Sequence, residues 1–312
     1  MARSFDFDVV GMGLNAVDHI CVIPRFPRYE EKLRMEDFKR AGGGQVASAL
    51  VACRRWRLRV KYVGKIGGDE MGDFSYRSLK DEGVDVDDVI RVEGAQNQFA
   101  FILVDATTGE RTIIWKRDAR IAMKPEEVPL DVVVRGRFLL LDGHDARAAA
   151  VAAAHAQKHG VTVVIDAETV KDGTSDLVSS SDYVVCSSEF PRAFTGEEDL
   201  EKAMRTIMAM GPTCVAVTLG RNGAICLWQN ELIEARGFKI RCVDSTGAGD
   251  VFHGGFIYGL HRGWEMRKVL DFANAAAALN CTRIGARGGI EPVEEILKLV
   301  ERGERWEANV TS

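Results

Sequence analysis

The sequence predicts an α/β protein: a mostly parallel sheet covered on both faces by helices, with a small separate β element beside it. Three observations lead there. Short Val- and Ile-rich runs recur along the chain, longer helix-patterned segments separate them, and two further segments break the alternation as extended chain around turns.

Phe7–Gly11 is the first apolar run and reads as a buried strand. Gly11-Met12-Gly13-Leu14-Asn15-Ala16 follows and matches GxGxxA, the dinucleotide fingerprint, which requires a helix to open at the glycines. Here the chain stays extended and runs into Pro24, so NAD binding is rejected and Asp18 reads instead as an acceptor for a substrate hydroxyl. Ala41-Gly42-Gly43-Gly44 leads directly into a helix over Gln45–Trp56. The three glycines suit either close approach of a polyhydroxy ligand or a hinge, and both readings stand. A strand at Val60–Val63 and a helix at Met71–Glu82 come next. His19–Phe38, with Pro24 and Pro27, and Val89–Lys116, which alternates around a turn at Ala106–Gly109, fit no βαβ unit. Together, over about residues 17–40 and 89–117, they make a small antiparallel sheet, a candidate lid over the site. Alternation then resumes. Strands are expected at Phe138–Leu141, Val161–Asp166, Tyr183–Cys186 and Cys214–Thr218, and helices at Ala146–His159, Leu200–Met210, Asp250–Arg262, Met266–Thr282 and Pro292–Glu301. With no repeat and no linker, residues 1–312 read as a single domain, and the tail after Trp306 is expected to fray.

Composition narrows the class of function. A net charge of −5 provides no basic face for nucleic acid, and no Lys/Arg block suggests a membrane patch. The seven cysteines are scattered and form no CxxC pair, as expected of reduced thiols. The N-terminus is too polar for a signal peptide and no apolar run approaches bilayer length, so a soluble cytoplasmic protein is expected.

The chemistry concentrates in Asp244-Ser245-Thr246-Gly247-Ala248-Gly249-Asp250. Gly247, Ala248 and Gly249 let backbone approach an anion, and the helical run that follows places their N–H groups at a positively polarised helix end. Asp250 stands where it can take a proton from an attacking hydroxyl while those amides hold the charge developing on a phosphoryl group. A capped, glycine-rich helix start is the plainer reading of the same residues. Thr218-Leu219-Gly220-Arg221-Asn222-Gly223 follows a strand and suits either a nucleotide loop or a simple β-turn. There is no GxxxxGK[ST], no GxSxG and no histidine spacing that suits a metal.

Taken together, these residues resemble the ribokinase-like, or PfkB, carbohydrate kinases over nearly the whole chain. Ala41-Gly42-Gly43 with Val63–Gly72 is similar to that family's first signature, and Asp244–Asp250 to its second; Thr218–Gly223 resembles its nucleotide loop, and Phe272–Ala276 the helix beside the adenine. The resemblance implies a three-layer α/β/α domain with a small β lid, which in many members pairs two subunits in a homodimer. It implies an ATP- and Mg²⁺-dependent kinase acting on a small sugar. Asp250 would be the catalytic base and Gly247, Ala248 and Gly249 the anion hole. Asp18, Gly42 and Gly43 would face the sugar, and Thr218, Gly220, Gly223 and Asn274 the nucleotide. Asp244, through its side chain, and Thr246, through its carbonyl, fall where many members hold a monovalent cation such as K⁺.

The chain departs from the family pattern at three places. Ala47 stands where many members have a sugar-binding Asn, and Arg117-Asp118-Ala119 replaces Gly-Ala-Asn. Ser188 and Pro191 replace the Asn-x-x-Glu that organises Mg²⁺, leaving Glu189 to act through water. Asp250–Gly254, Asn280–Arg283 and Arg287–Ile290 are similar to the subgroup containing sulfofructose kinase, and Lys116 and Arg117 suit either an anionic sugar or plain solvation. The rival readings are a nucleoside kinase on the same fold and a non-catalytic sugar or nucleotide sensor.

Overall fold

Apolar strands in a parallel sheet need cover on both faces, and the chain supplies it by alternating strand with helix. The structure, a computed structural model, describes residues 4–307, so the expected fraying after Trp306 falls largely outside the described residues. Its strands are β1 (Phe7–Met12), β2 (Ala16–Ile23), β3 (Asp37–Gly43), β4 (Val60–Gly67), β5 (Val89–Val92), β6 (Phe99–Asp105), β7 (Arg111–Lys116), β8 (Gly136–Asp142), β9 (Thr162–Ala167), β10 (Tyr183–Ser187), β11 (Cys214–Thr218), β12 (Gly223–Trp228) and β13 (Glu231–Arg236). The helices are α1 (Gln45–Arg55), α2 (Glu70–Lys80), α3 (Leu130–Val133), α4 (Ala146–Lys158), α5 (Thr174–Ser179), α6 (Phe190–Thr195), α7 (Leu200–Met208), α8 (Ala248–His261), α9 (Met266–Asn280) and α10 (Val293–Arg302).

Nine strands form the large sheet, in the order β13-β12-β11-β10-β9-β8-β1-β4-β5. From β11 to β5 every neighbouring pair is parallel; β12 and β13 are antiparallel additions at one edge. The strand pleat sends alternate side chains to two separate cores. Phe138, Leu140, Val164 and Val185 pack on the side of α1, α8 and α9. Leu139, Leu141, Val163, Ile165 and Val184 pack on the side of α4 and α7. Helix α4 is rich in alanine, and six of those alanines beyond its first residue are buried against the sheet.

Helix α8 runs through the interior. Every residue from Val251 to Gly259 is buried, so no face is left for solvent. Glycine makes this possible. A Cβ on Gly254 would lie 2.9 Å from the Ala49 carbonyl of α1, and one on Gly255 would lie 2.9 Å from the Cα of Ala273 in α9. The N-terminus of α8 therefore opens at the carboxyl edge of the large sheet, where ligands of such sheets bind.

The small sheet has the order β3-β2-β6-β7. Its outer pairs, β2 with β3 and β6 with β7, are antiparallel, while the central pair β2 and β6 runs parallel. The expected second lid segment begins too early in one respect: Val89–Val92 pairs with Gly64–Gly67 and extends the large sheet as β5. The small sheet takes up the chain only from Phe99. After the GxGxxA glycines the chain enters β2 directly, without the helix a dinucleotide would need.

The packing of α8 leads to a stability prediction. Phe256 is fully buried and its ring meets those of Tyr183 and Phe252. Phe256→Ala is expected to cost about 3–5 kcal/mol, seen as a lower urea midpoint at unchanged m-value.

Candidate active site

The helix start at Gly247 is set by backbone sterics. Gly247 adopts φ +75°, and a Cβ there would come within 2.3 Å of the Ala286 carbonyl oxygen. Among the described residues no side chain caps α8; the Ala248 N–H donates to the Ser245 carbonyl at 3.3 Å, and the N–H groups of Gly249 and Asp250 stay available. Asp244 fixes the approach to that turn. It is fully buried, with Oδ1 accepting from the Thr246 N–H at 2.8 Å and Oδ2 from the Gly285 N–H at 2.8 Å. The Thr246 carbonyl accepts from Asn280 Nδ2 at 3.2 Å, and the Thr246 hydroxyl is buried without a partner among the described residues.

Asp250 lies in the first turn of α8, half-buried at the cleft. Burial pushes its carboxyl up to about 8; Asp166, Glu168 and Asp18 add to the rise, and His253 opposes it. His253, one turn on, reaches the Gly249 carbonyl at 2.7 Å and the Val185 carbonyl at 3.2 Å, with Asp166 Oδ1 at 3.5 Å. Asp166 is buried at the end of β9 and accepts from Gln45 Nε2 at 3.1 Å. Burial and the neighbouring Glu168 and Asp142 push its carboxyl well up.

On the other side of Asp250 lies Asp18, buried on β2 with no hydrogen-bond partner among the described residues. Burial pushes it up to about 6, Arg287 and Arg111 pull it down, and Asp244 adds to the rise. Gly43 is obligatory beside it, since a Cβ would fall 2.0 Å from Asp18 Oδ2. A Cβ on Gly42 would meet Arg287 Nη1 at 2.7 Å. Arg287 itself is buried without a carboxylate within 4 Å among the described residues. It donates to the Gly43 carbonyl at 3.0 Å and to Ser48 Oγ at 3.3 Å, tying β3 to α1.

Thr218, Gly220, Gly223 and Asn274 all line one cavity of about 650 Å³, whose other walls include Ala248 and Gly249. Thr108, Gly109 and Glu110, at the β6–β7 turn, form part of its rim. The individual roles differ. Gly223 (φ +100°) is required by the β12–β13 pairing, with a Cβ falling 2.1 Å from the Ala235 carbonyl. Asn274 commits its amide nitrogen to the same carbonyl at 2.8 Å. Glu189, exposed at the start of α6, has an open path to water.

Several site groups were not assigned roles from the sequence alone. Asp142 and Asp166 are paired in register at the carboxyl ends of β8 and β9, a position that the strand-end rule flags. Arg111, whose Nη1 donates to Ser245 Oγ at 2.5 Å, ties the small sheet to the phosphate-type turn and carried no sequence signal. Arg117 does not offer a free charge: Asp145 holds it through two bonds at 2.7 and 2.9 Å, while Lys116 is solvated.

Comparison with known proteins agrees with this geometry. A family model for pfkB family carbohydrate kinases matches residues 7–292. The ribokinase of Staphylococcus aureus is 28% identical over 298 residues, covering 92% of this chain and 98% of its own. A solved ribokinase from Thermotoga maritima has a TM-score of 0.81 at 25% identity, covering 95% of this chain and 100% of its own. A ribokinase from Arabidopsis thaliana, solved with ribose and ATP, has a TM-score of 0.80 at 24% identity over 95% and 99% of the two chains and is alike in fold.

The raised Asp250 carboxyl has a consequence for stability. Unfolded, it ionises near 3.8; folded and ligand-free, near 8. Folding therefore takes up a proton between those values, and the stability linked to this group falls as pH rises across the window. Asp250→Asn mimics the neutral form. The ligand-free variant is expected to melt above the native protein at pH 8, the gap shrinking toward pH 4; equal melting curves at both pH values would contradict this environment.

Proposed function

Because the chain belongs to the pfkB family of carbohydrate kinases, and is therefore a phosphotransferase with a hydroxyl acceptor, we propose that it moves the γ-phosphoryl group of ATP to a hydroxyl of a small sugar. Asp250 is the general base in this reading. The observation that carries it is the position of Asp250 between two half-sites: the cavity walled by Ala248 and Gly249, and the unpartnered carboxylate of Asp18.

ATP would lie in the large cavity with its phosphates toward the first turn of α8, whose amides and helix dipole receive negative charge without reorganising. The Asp18 carboxylate would accept from an acceptor hydroxyl and turn a second hydroxyl toward the γ-phosphorus, supplying orientation. Asp250 would take the proton of that second hydroxyl as the oxygen attacks in line. A carboxyl pushed upward in the ligand-free site is a stronger base once ionised, which suits proton abstraction near neutral pH. Mg²⁺ carried with the nucleotide offsets phosphate charge, and the exposed carboxylates of Glu168, directly, and Glu189, through water, are the hard oxygen donors it prefers. K⁺ would share the Asp244 carboxylate and the Thr246 carbonyl with the amide donors those oxygens already accept. The small sheet serves as the lid, excluding water from the phosphate. A cytoplasmic setting, with ATP at hand and seven free thiols kept reduced, fits this chemistry. Among the described residues no helix is long and apolar enough to cross a membrane.

The outward face of the small sheet supports a homodimer. Phe38, Phe101 and Ile114 stand 51%, 45% and 60% exposed there, stacked around His19. A second copy of the chain is the partner that covers such a self-complementary patch.

Two outcomes test these readings. Asp250→Asn is expected to lower kcat by about 10²- to 10⁴-fold while MgATP affinity, read by calorimetry, is unchanged; near-native turnover would sink the assignment. Ile114→Glu is expected to convert a dimer to a monomer in sedimentation, and a native protein that sediments as a monomer at micromolar concentration would remove the dimer.

A further inference from the structure

A second, smaller cavity lies beside the acceptor half-site, at the carboxyl ends of β1, β4 and β8 and beneath the base of the small sheet. Its volume of about 20 Å³ is room for a single water, and its walls include Asn15, Gln98, Arg117, Lys65, Asp142 and Asp145. Asn15 and Gln98 are buried and Arg117 is half-buried, and among the described residues each leaves a polar atom unsatisfied. Asn15, 4% exposed, has neither Oδ1 nor Nδ2 partnered; Gln98, 6% exposed, leaves Oε1 unpartnered; Arg117 leaves Nε unpartnered. A buried polar atom without a partner costs about 1–3 kcal/mol, so four such atoms on one cavity mark a place where a polar ligand group completes the structure.

The charges around the cavity decide what that group is. Arg117 is neutralised by Asp145 through its two terminal nitrogens, and Lys65 is bound to Glu127 at 2.6 Å and to the Ala122 carbonyl at 3.2 Å. Asp142 accepts backbone N–H groups, those of Leu14 at 2.6 Å and His144 at 3.0 Å; no cation pairs with it within 4 Å among the described residues, and Arg117 acts on it only at longer range. Lys65 and Arg117 share the cavity wall with Asp142 and Asp145; with Glu127 bound to Lys65 from outside the wall, two cations stand against three carboxylates and both cations are already paired. An anionic group brought here would meet uncompensated negative charge, whereas a hydroxyl can donate to Gln98 Oε1 or Asn15 Oδ1 and accept from Asn15 Nδ2 or Arg117 Nε.

We infer that this cavity binds the far end of the acceptor as an uncharged, hydroxyl-bearing group, with Asn15 and Gln98 as its specificity-determining residues. The inference rests on the reading of the adjoining cleft as the acceptor site. It selects neutral polyols and sugars over sugar acids, sugar phosphates and sulfo-sugars of the same skeleton. It also removes the anionic acceptor that Lys116 and Arg117 suggested from sequence, because Arg117 is spent on Asp145.

The test is calorimetric binding of matched pairs, D-ribose against D-ribonate and D-fructose against 6-deoxy-6-sulfo-D-fructose, each followed by ADP release with MgATP. At least one neutral member is expected to bind, with its anionic counterpart about tenfold or more weaker. Asn15→Leu and Gln98→Met are each expected to weaken the neutral ligand by about tenfold, the loss of one buried hydrogen bond to ligand, with MgATP binding retained as the check of folding. Gln98→Met carries the test alone if Asn15→Leu does not fold. Asp145→Asn, which frees Arg117, is expected to narrow the gap between the members of a pair. The inference is overturned if an anionic member binds as tightly as its neutral counterpart, if the folded variants leave affinity unchanged, or if no member of either pair binds. Binding without ADP release would strike the kinase reading and leave this one standing.

Discussion

The left-handed turn at Gly247 is the constraint on which the rest of the site depends. It reverses the chain so that α8 begins at the sheet edge, and it is held there by the Asp244 carboxylate, which satisfies one amide on each of two loops. Since both oxygens of Asp244 are used in this way, the loop at Gly285–Gly289 is registered against the helix start. That loop in turn delivers Arg287 to the back of the Gly42–Gly43 segment. The helix-start amides and the Gly42–Gly43 segment, proposed above to meet phosphate and acceptor, are therefore two ends of one hydrogen-bonded assembly. Its rigidity comes from close backbone approach that only glycine permits at Gly43, Gly247 and Gly254.

Electrostatically the cleft is a region of concentrated negative charge. Asp18, Asp142, Asp166, Glu168 and Asp250 gather where strands end, and Arg287 is the buried cation set among them. Burial pushes even that guanidinium down to about 10, while Asp18 and Glu82 pull it back up. Such an arrangement is unfavourable in the ligand-free protein; in the function proposed above, cations and hydrogen-bond donors entering with the substrates would offset it, with the charge already in place.

Much of this was legible from residue order. Strand and helix alternated as their periodicities indicated, and the Asp244–Asp250 turn opened a helix because an apolar run followed it directly. The β12–β13 hairpin was not legible. Its turn places Gln229 and Asn230 at φ +51° and +67°, a conformation that Asn tolerates but for which Gln gives no signal. Val89–Val92 alternates in the same manner whether it pairs in one sheet or the other, so only tertiary context could assign it. Site residues fared similarly. Asp250 and Asp18 were marked by their neighbours in sequence, whereas Arg111, Arg287 and the orphaned Asn15 and Gln98 matter only through partners, or a lack of partners, more than twenty residues away or in space alone.

The small sheet touches both half-sites at once. In the function proposed above, Asp18 on β2 would face the acceptor and the cavity bordered by Thr108–Glu110, between β6 and β7, would hold the nucleotide, while Arg111 is bonded to Ser245. One hydrogen-bonded body would thus meet two ligands. Whatever free energy the nucleotide contributes to one arrangement of that body is returned in equal measure to the acceptor, because thermodynamic linkage is reciprocal. On that proposal the two substrates would not be independent occupants of neighbouring pockets: each would be, in the strict sense, an effector of the other.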